Sequence, residues 1–216
     1  MVVIKFYHLH GARRSGSDII ASMSTSHKIV ILADTHTGDR TPELEPAMLQ
    51  GILAEEPDQI FHAGDVCNQS VIDQLEQIAP TLAVQGNRDW FLGFKLPKDY
   101  QLEINGLKIV LAHGHFNIWH WFWNYVRLFL TRKIHDHTFY QKKLAQRYPD
   151  ANLIIYGHLH YPYDEIMDGK HFLNPGVGYP EWRNNYRPAF IVLTVYPDGS
   201  YSTAMRITSP AAQKTV

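Results

Sequence analysis

“KIVILAD”, residues 28–34, is a near-unbroken run of β-branched and apolar residues that ends on a carboxylate. Such a run reads as a strand covered on both faces. “PELEPAMLQGILAEE” (42–56) follows with helical spacing, placing Leu44, Met48, Ile52 and Leu53 on one face. “DQIFHAGD” (58–65) predicts a second strand, “QSVIDQLEQIA” (69–79) a second helix, and “TLAVQGN” (81–87) a third strand. The order β-α-β-α-β favours a parallel sheet with helices packed on it.

The second half changes character. “YQLEINGLKIVLAHG” (100–114) predicts a hairpin turning at Asn105-Gly106. “NLIIYGH” (152–158) is another strand. “YDEIMDGKHFLNPG” (163–176) and “AFIVLTVYPDGSYSTAMRI” (189–207) predict two more hairpins, turning at Asp168-Gly169 and near Asp198-Gly199. An α/β front followed by hairpins implies an α/β fold of two sheets packed face to face, with helices outside.

The 216 residues suit one domain. A net charge of −1 supplies no overall basic field and so no strong nucleic-acid signal. The single cysteine, Cys67, rules out an intrachain disulfide framework and a cysteine-rich zinc knuckle. It points to a reducing, cytoplasmic setting. No window offers the ~18 uncharged apolar residues of a membrane span. Residues 1–26 read as a flexible lead-in, with a start at Met23 as an alternative, and residues 27–216 as the domain.

Polar residues collect where the predicted strands end. Asp34 and His36 follow the first strand, Asp65 the second and Asn87 the third. His113 ends the first hairpin, and His158 and His160 follow the strand after it. Ligands of open α/β sheets bind outside the carboxyl ends of strands. These residues could therefore share one cleft. Two carboxylates, one amide and four imidazoles, with no thiolate, suit Mn, Fe, Zn, Co or Ni, whereas Mg and Ca favour all-oxygen shells. They are too many for one tetrahedral ion and suit two divalent transition-metal ions sharing a carboxylate.

In order, “DTH” (34–36), “GDV” (64–66), “GNRD” (86–89), “HGH” (113–115) and “GHLH” (157–160) resemble the motifs of the calcineurin-like metallophosphoesterases. The later “NPG” (174–176) resembles the compact single-domain phosphodiesterase branch of that superfamily. The resemblance runs from about Lys28 onward. It implies a four-layer αββα sandwich and hydrolysis of phosphodiesters by a metal-bridging hydroxide, with manganese the expected metal. By position it implies that Asp34, His36 and His160 hold one ion, that Asn87, His113 and His158 hold a second, and that Asp65 bridges them. A phosphomonoesterase, a nucleotide or lipid pyrophosphohydrolase, and a non-catalytic protein-binding scaffold on the same fold are the alternatives. The expected partner is a small-molecule phosphoester substrate.

Many relatives carry “GNH” where this chain has “GNR”. Arg88 is a poor proton donor, and its planar fork suits phosphate oxygens. It is therefore expected to steady the transition state and to favour esters with acidic leaving groups. His115 is expected as an outer-sphere group near the substrate. Singly, an Asp-x-His after a strand is more often turn chemistry than a ligand pair; the ordered set is what carries the reading. His62 reads as a core or outer-sphere residue, and Asp89 as either an orienting group or a turn residue. Cys67 reads as packing, and His120, His135, His137 and His171 as surface residues. “FNIWHWFWNYVRLFL” (116–130) is apolar nearly all round and opens an aromatic and basic helical insertion, 116–150. It reads as a buried or dimer-contact helix, a cleft lid, or a segment dipping into a membrane surface.

Overall fold

The structure, a computed structural model, describes residues 5–6, 25–114, 123, 126 and 137–208. Strand β2 (His27–Leu32) continues into the loop bearing Asp34, and is followed by α1 (Pro46–Ala54), β3 (Gln59–His62), α2 (Gln69–Glu76) and β4 (Thr81–Ala83). β2, β3 and β4 are parallel neighbours, as the β-α-β-α-β pattern predicts. Pro46 starts α1, where its missing N–H costs nothing. Asn68 caps α2, its side chain accepting from the Ser70 amide at 2.9 Å.

The later elements are β5 (Asp99–Ile104), β6 (Leu107–Ala112), α4 (Thr138–Arg147), β7 (Leu153–Ile155), β8 (Pro162–Met167), β9 (Lys170–Pro175), β10 (Ala189–Val195) and β11 (Tyr201–Ile207). All three hairpins form. Asn105 and Gly106, at φ 50° and 85°, adopt the left-handed pair that a tight hairpin of this twist needs. Asp168 and Gly169 repeat it at 51° and 77°.

Two mixed sheets result. One has the order β11-β10-β2-β3-β4. The other runs β1-β5-β6-β7-β9-β8, its first member β1 (Lys5–Phe6) drawn from the expected lead-in and paired with the outer edge of β5. Alternation along each strand sets the layers. Ile29, Ile31 and Phe61 meet Ile109, Leu111, Ile155 and Leu193 between the sheets. Val30, Leu32 and Ile60 face outward onto Met48, Ile52, Val71 and Leu75 of α1 and α2. Val110, Ile154 and Phe172 face outward onto Leu144 and Tyr148 in and beside α4. This is the expected αββα sandwich.

Two histidines read as surface residues are buried. His171 lies on β9, with Nε2 2.6 Å from Asp164 Oδ1 and Nδ1 3.0 Å from the Tyr201 hydroxyl. His137 stacks on Tyr163, and its Nδ1 lies 2.6 Å from the Tyr156 hydroxyl. Each is covered because an adjacent element supplies a polar partner, which its own sequence neighbourhood does not reveal. Of the aromatic stretch, only Trp123 and Val126 are described, both helical; the rest of 116–130 and His115, His120 and His135 lie outside the described residues. Among the described residues no helix is long and apolar enough to cross a membrane.

Candidate metal centre

The loops after β2, β3, β4, β6 and β7 converge at one edge of the sandwich. The backbone there is unusual: Asp34, His36, Asp65, His158 and His160 have φ of 52°, 49°, 55°, 75° and 62°. An L-residue in that left-handed region costs roughly 1–2 kcal/mol. Asp and His tolerate it better than most, and such outliers gather at functional sites. The turns aim successive side chains inward instead of letting them alternate.

Asp34 Oδ1 is the focus. It is fully buried and has no hydrogen-bond partner. Around it stand three imidazole Nε2 atoms: His160 at 3.5 Å, His36 at 3.9 Å and His113 at 4.0 Å. Asp65 Oδ2 lies 3.5 Å from His113 Nε2 and 3.6 Å from His36 Nε2. His36 Nε2 and His160 Nε2 face each other at 3.2 Å. Donors sharing an ion at ~2.1 Å stand about 3–3.5 Å apart. Asp34, His36 and His160 bring their ligand atoms within 4.8 Å of one another, slightly wider than that spacing, and Asp34, Asp65 and His113 do the same. Asn87 Oδ1 joins the second side, 3.2 Å from His113 Nε2 and 2.8 Å from His158 Nδ1. The seven sequence-predicted donors therefore come together in one cluster. A buried carboxylate oxygen with no partner, ringed by imidazole nitrogens, fits a cation.

The charges agree with that fit. Burial alone would raise Asp34 and Asp65, yet His160 and His113 more than offset it, and both carboxyls sit below their ordinary range. Burial pulls down on His113 and His160 too. There Asp65 and Asp34 win, and both imidazoles are raised to about 9. His36, with weaker compensation, is pushed down by burial to about 4. His62 is buried with Nε2 3.0 Å from Thr35 Oγ1, and burial takes it to about 3, the behaviour expected of a core histidine.

The histidines are oriented from behind. His113 Nδ1 donates to the Ala63 carbonyl at 2.7 Å, and His160 Nδ1 to Glu181 Oε1 at 2.9 Å. His158 Nε2 lies 3.0 Å from the Tyr140 hydroxyl of α4. Asp89, at the third position of the short helix α3 (Asn87–Phe91), accepts from the amides of Asp65, Cys67 and Gly86 at 2.9, 2.6 and 2.7 Å. One buried carboxylate thus ties the loop of Asp65 to the loop of Asn87. Of the two readings open for Asp89, the contacts select the orienting one. Arg88 turns its Nε–Nη2 edge onto Asp39, whose Oδ2 lies 3.4 Å from His36 Nδ1. Cys67 is half-buried, with Sγ 3.9 Å from that same His36 Nδ1.

Sequence reading missed Asp39, Glu181, Tyr179 and Tyr140. Asp39 could have been found, since it lies three residues beyond His36. Glu181 follows the last strand-end motif by many residues and carries no periodic signal.

Residues 28–197 match the sequence profile of the “Calcineurin-like phosphoesterase superfamily domain”. The chain is 28% identical over 148 residues to a “Probable metallophosphoesterase” of Methanothermobacter thermautotrophicus, covering 68% of this chain and 75% of that protein. Among solved structures it is similar to Vacuolar Protein Sorting 29 from Cryptosporidium parvum, with a TM-score of 0.62 and 19% identity over 86% of this chain and 99% of the other. It is also similar to a structure described as a “Novel Archaeal Phosphodiesterase”, with a TM-score of 0.53 and 21% identity over 83% and 99% of the two chains.

Proposed function

This chain belongs to the calcineurin-like phosphoesterase superfamily, and from that membership we propose that it is a dinuclear metal-dependent phosphodiesterase. The observation that carries the reading is the buried, unpartnered Asp34 Oδ1 inside its ring of imidazoles. Asp34, His36 and His160 would hold one ion, Asn87, His113 and His158 a second, and Asp65 both. The donor chemistry favours manganese, with Fe, Zn, Ni and Co as further fits. When bound, such ions supply Lewis acidity toward phosphoryl oxygens and acidify water.

The chain's own groups do the rest. Asp65 and Asp89 fix the geometry of two loops. Arg88 has given one edge of its guanidinium to Asp39, and its other edge is available to a phosphoryl oxygen; the side chain is 37% exposed. Arg88 keeps its proton at neutral pH and so does not protonate a leaving group. This favours esters with acidic leaving groups, such as aryl phosphodiesters. His115 remains assigned to the substrate side on sequence grounds alone. Replacing Arg88 with alanine is expected to lower kcat/KM for a chromogenic diester about 10- to 100-fold, the worth of a charged hydrogen bond of ~1.5–3 kcal/mol. An unchanged kcat/KM removes that role.

The central experiment compares bis(p-nitrophenyl) phosphate with p-nitrophenyl phosphate, with and without Mn²⁺, after chelation. The expected result is diester hydrolysis that chelation abolishes and Mn²⁺ restores. Faster monoester turnover selects the phosphomonoesterase reading. A protein that binds its ions and turns over neither ester, nor a nucleoside diphosphate derivative, selects the scaffold reading, which has fold likeness to a vacuolar sorting protein behind it.

A further inference from the structure

Four edges bound the two sheets among the described residues, and three of them are blunted. β1 and β4 are only two and three residues long. β8 carries Pro162, which has no N–H to offer. It also carries Asp164, which lies opposite the core residue Leu173 and turns its carboxylate inward to accept from the Thr203 hydroxyl at 2.7 Å. Short strands, prolines and inward-pointing charges keep a sheet from joining another. β11 has none of these. Its seven residues pair with β10 in unbroken register, without a bulge, a proline or a lysine. Among the described residues no strand pairs with its outer edge. Its one charge, Arg206, donates from Nε to Glu55 Oε1 at 2.6 Å within the same chain.

We propose that the outer edge of β11 docks on the same edge of a second copy of this chain, making one sheet continuous across both. The strand is self-complementary. Its side chains alternate between faces, so a two-fold axis normal to the sheet must pass through a residue. Only an axis through Ala204 lets all seven residues pair. In that register Tyr201 lies across from Ile207, Thr203 from Met205 and Ser202 from Arg206, each in the other copy. The first two pairings fall on the face between the sheets, where Tyr201 and Met205 already pack on the core. Ile207, 53% exposed in the single chain, gains the tyrosine ring as cover. Arg206 never meets itself, so no like charges stand opposed. The two copies run antiparallel, so their strand-end loops point in opposite directions and the pairing covers neither metal centre.

The test is sedimentation of the full chain from about 1 to 100 µM. Wild type is expected to pass from monomer to dimer within that range. Ser202→Lys combined with Ala204→Lys sets lysine against Arg206 twice and against itself once. It is expected to weaken dimerisation about 10- to 100-fold. Ala204→Lys and Ala204→Glu are each expected to weaken pairing alone, and an equimolar mixture of the two to restore it. Only contact of residue 204 with its own copy brings those opposite charges together. Circular dichroism and melting curves check that each variant folds. If none does, the β11 amides of wild type must exchange with deuterium more slowly at the higher concentration. A wild type that stays monomeric overturns the proposal, as does a dimer that the paired lysines leave intact. A mixture that fails to re-form dimers overturns it as well.

Discussion

Replacing Asp65 with alanine is expected to lower kcat/KM for a chromogenic diester on the order of 10³-fold, or ~4 kcal/mol, and to leave fewer than two ions per chain. Both oxygens of this carboxylate are committed. Oδ1 accepts from the Arg88 amide at 2.7 Å. Oδ2 stands between His36 and His113, at 3.6 and 3.5 Å. Alanine therefore removes the carboxylate that faces both donor groups and the acceptor that starts α3. It also takes from the Nε2 atoms of His113 and His36 the carboxylate that lies nearest to each of them. Steady-state kinetics together with metal content by mass spectrometry checks the result. Full turnover with two ions still bound would falsify the bridging role. A fall in turnover with both ions retained would limit Asp65 to fixing the loop.

The second large effect is expected from Gly86→Ala. The conformation of Gly86 is ordinary, with φ −90°, so the penalty is one of space. A Cβ there would meet Asp65 Oδ1 at 2.0 Å and the Asp65 amide nitrogen at 2.2 Å. Backbone cannot yield as a flexible side chain can, and Asp89 holds the amides of Gly86 and Asp65 together. The cost should reach the upper end of overpacking, about 3 kcal/mol. A melting temperature roughly 6–12 °C lower follows for a chain of this size. The displaced Asp65 should weaken Mn²⁺ binding in parallel. Thermal unfolding and titration on one preparation test both. An unchanged melting temperature would show that the two loops part easily.

Much of this architecture is legible in the sequence because its signals are local. “KIVILAD” announces a covered strand, and Asn105-Gly106 announces a hairpin, since each follows from the chemistry of adjacent residues. The seven donors are legible for a related reason: a polar residue just past an apolar run marks a strand end. What hides is the support around them. The sequence pattern places Asn87 at the close of a strand, yet β4 stops at Ala83 and Asn87 opens a helix whose third residue, Asp89, clasps two loops. The left-handed turns that aim Asp34 and His160 have no glycine to betray them. Glu181 meets His160 only because β9 brings the chain back past the β7 loop. His137 and His171 depend on partners from other elements. Such contacts are properties of the folded whole, and no window of residues contains them.

The facing pair His36 and His160 joins chain positions 124 residues apart, one from each sheet. No fragment that ends before both sheets have docked can hold that pair together. On the two-ion reading proposed above, cation uptake would act as a seal on completed assembly: partly made chains lack the grip, and a captured ion would draw the population toward the finished form.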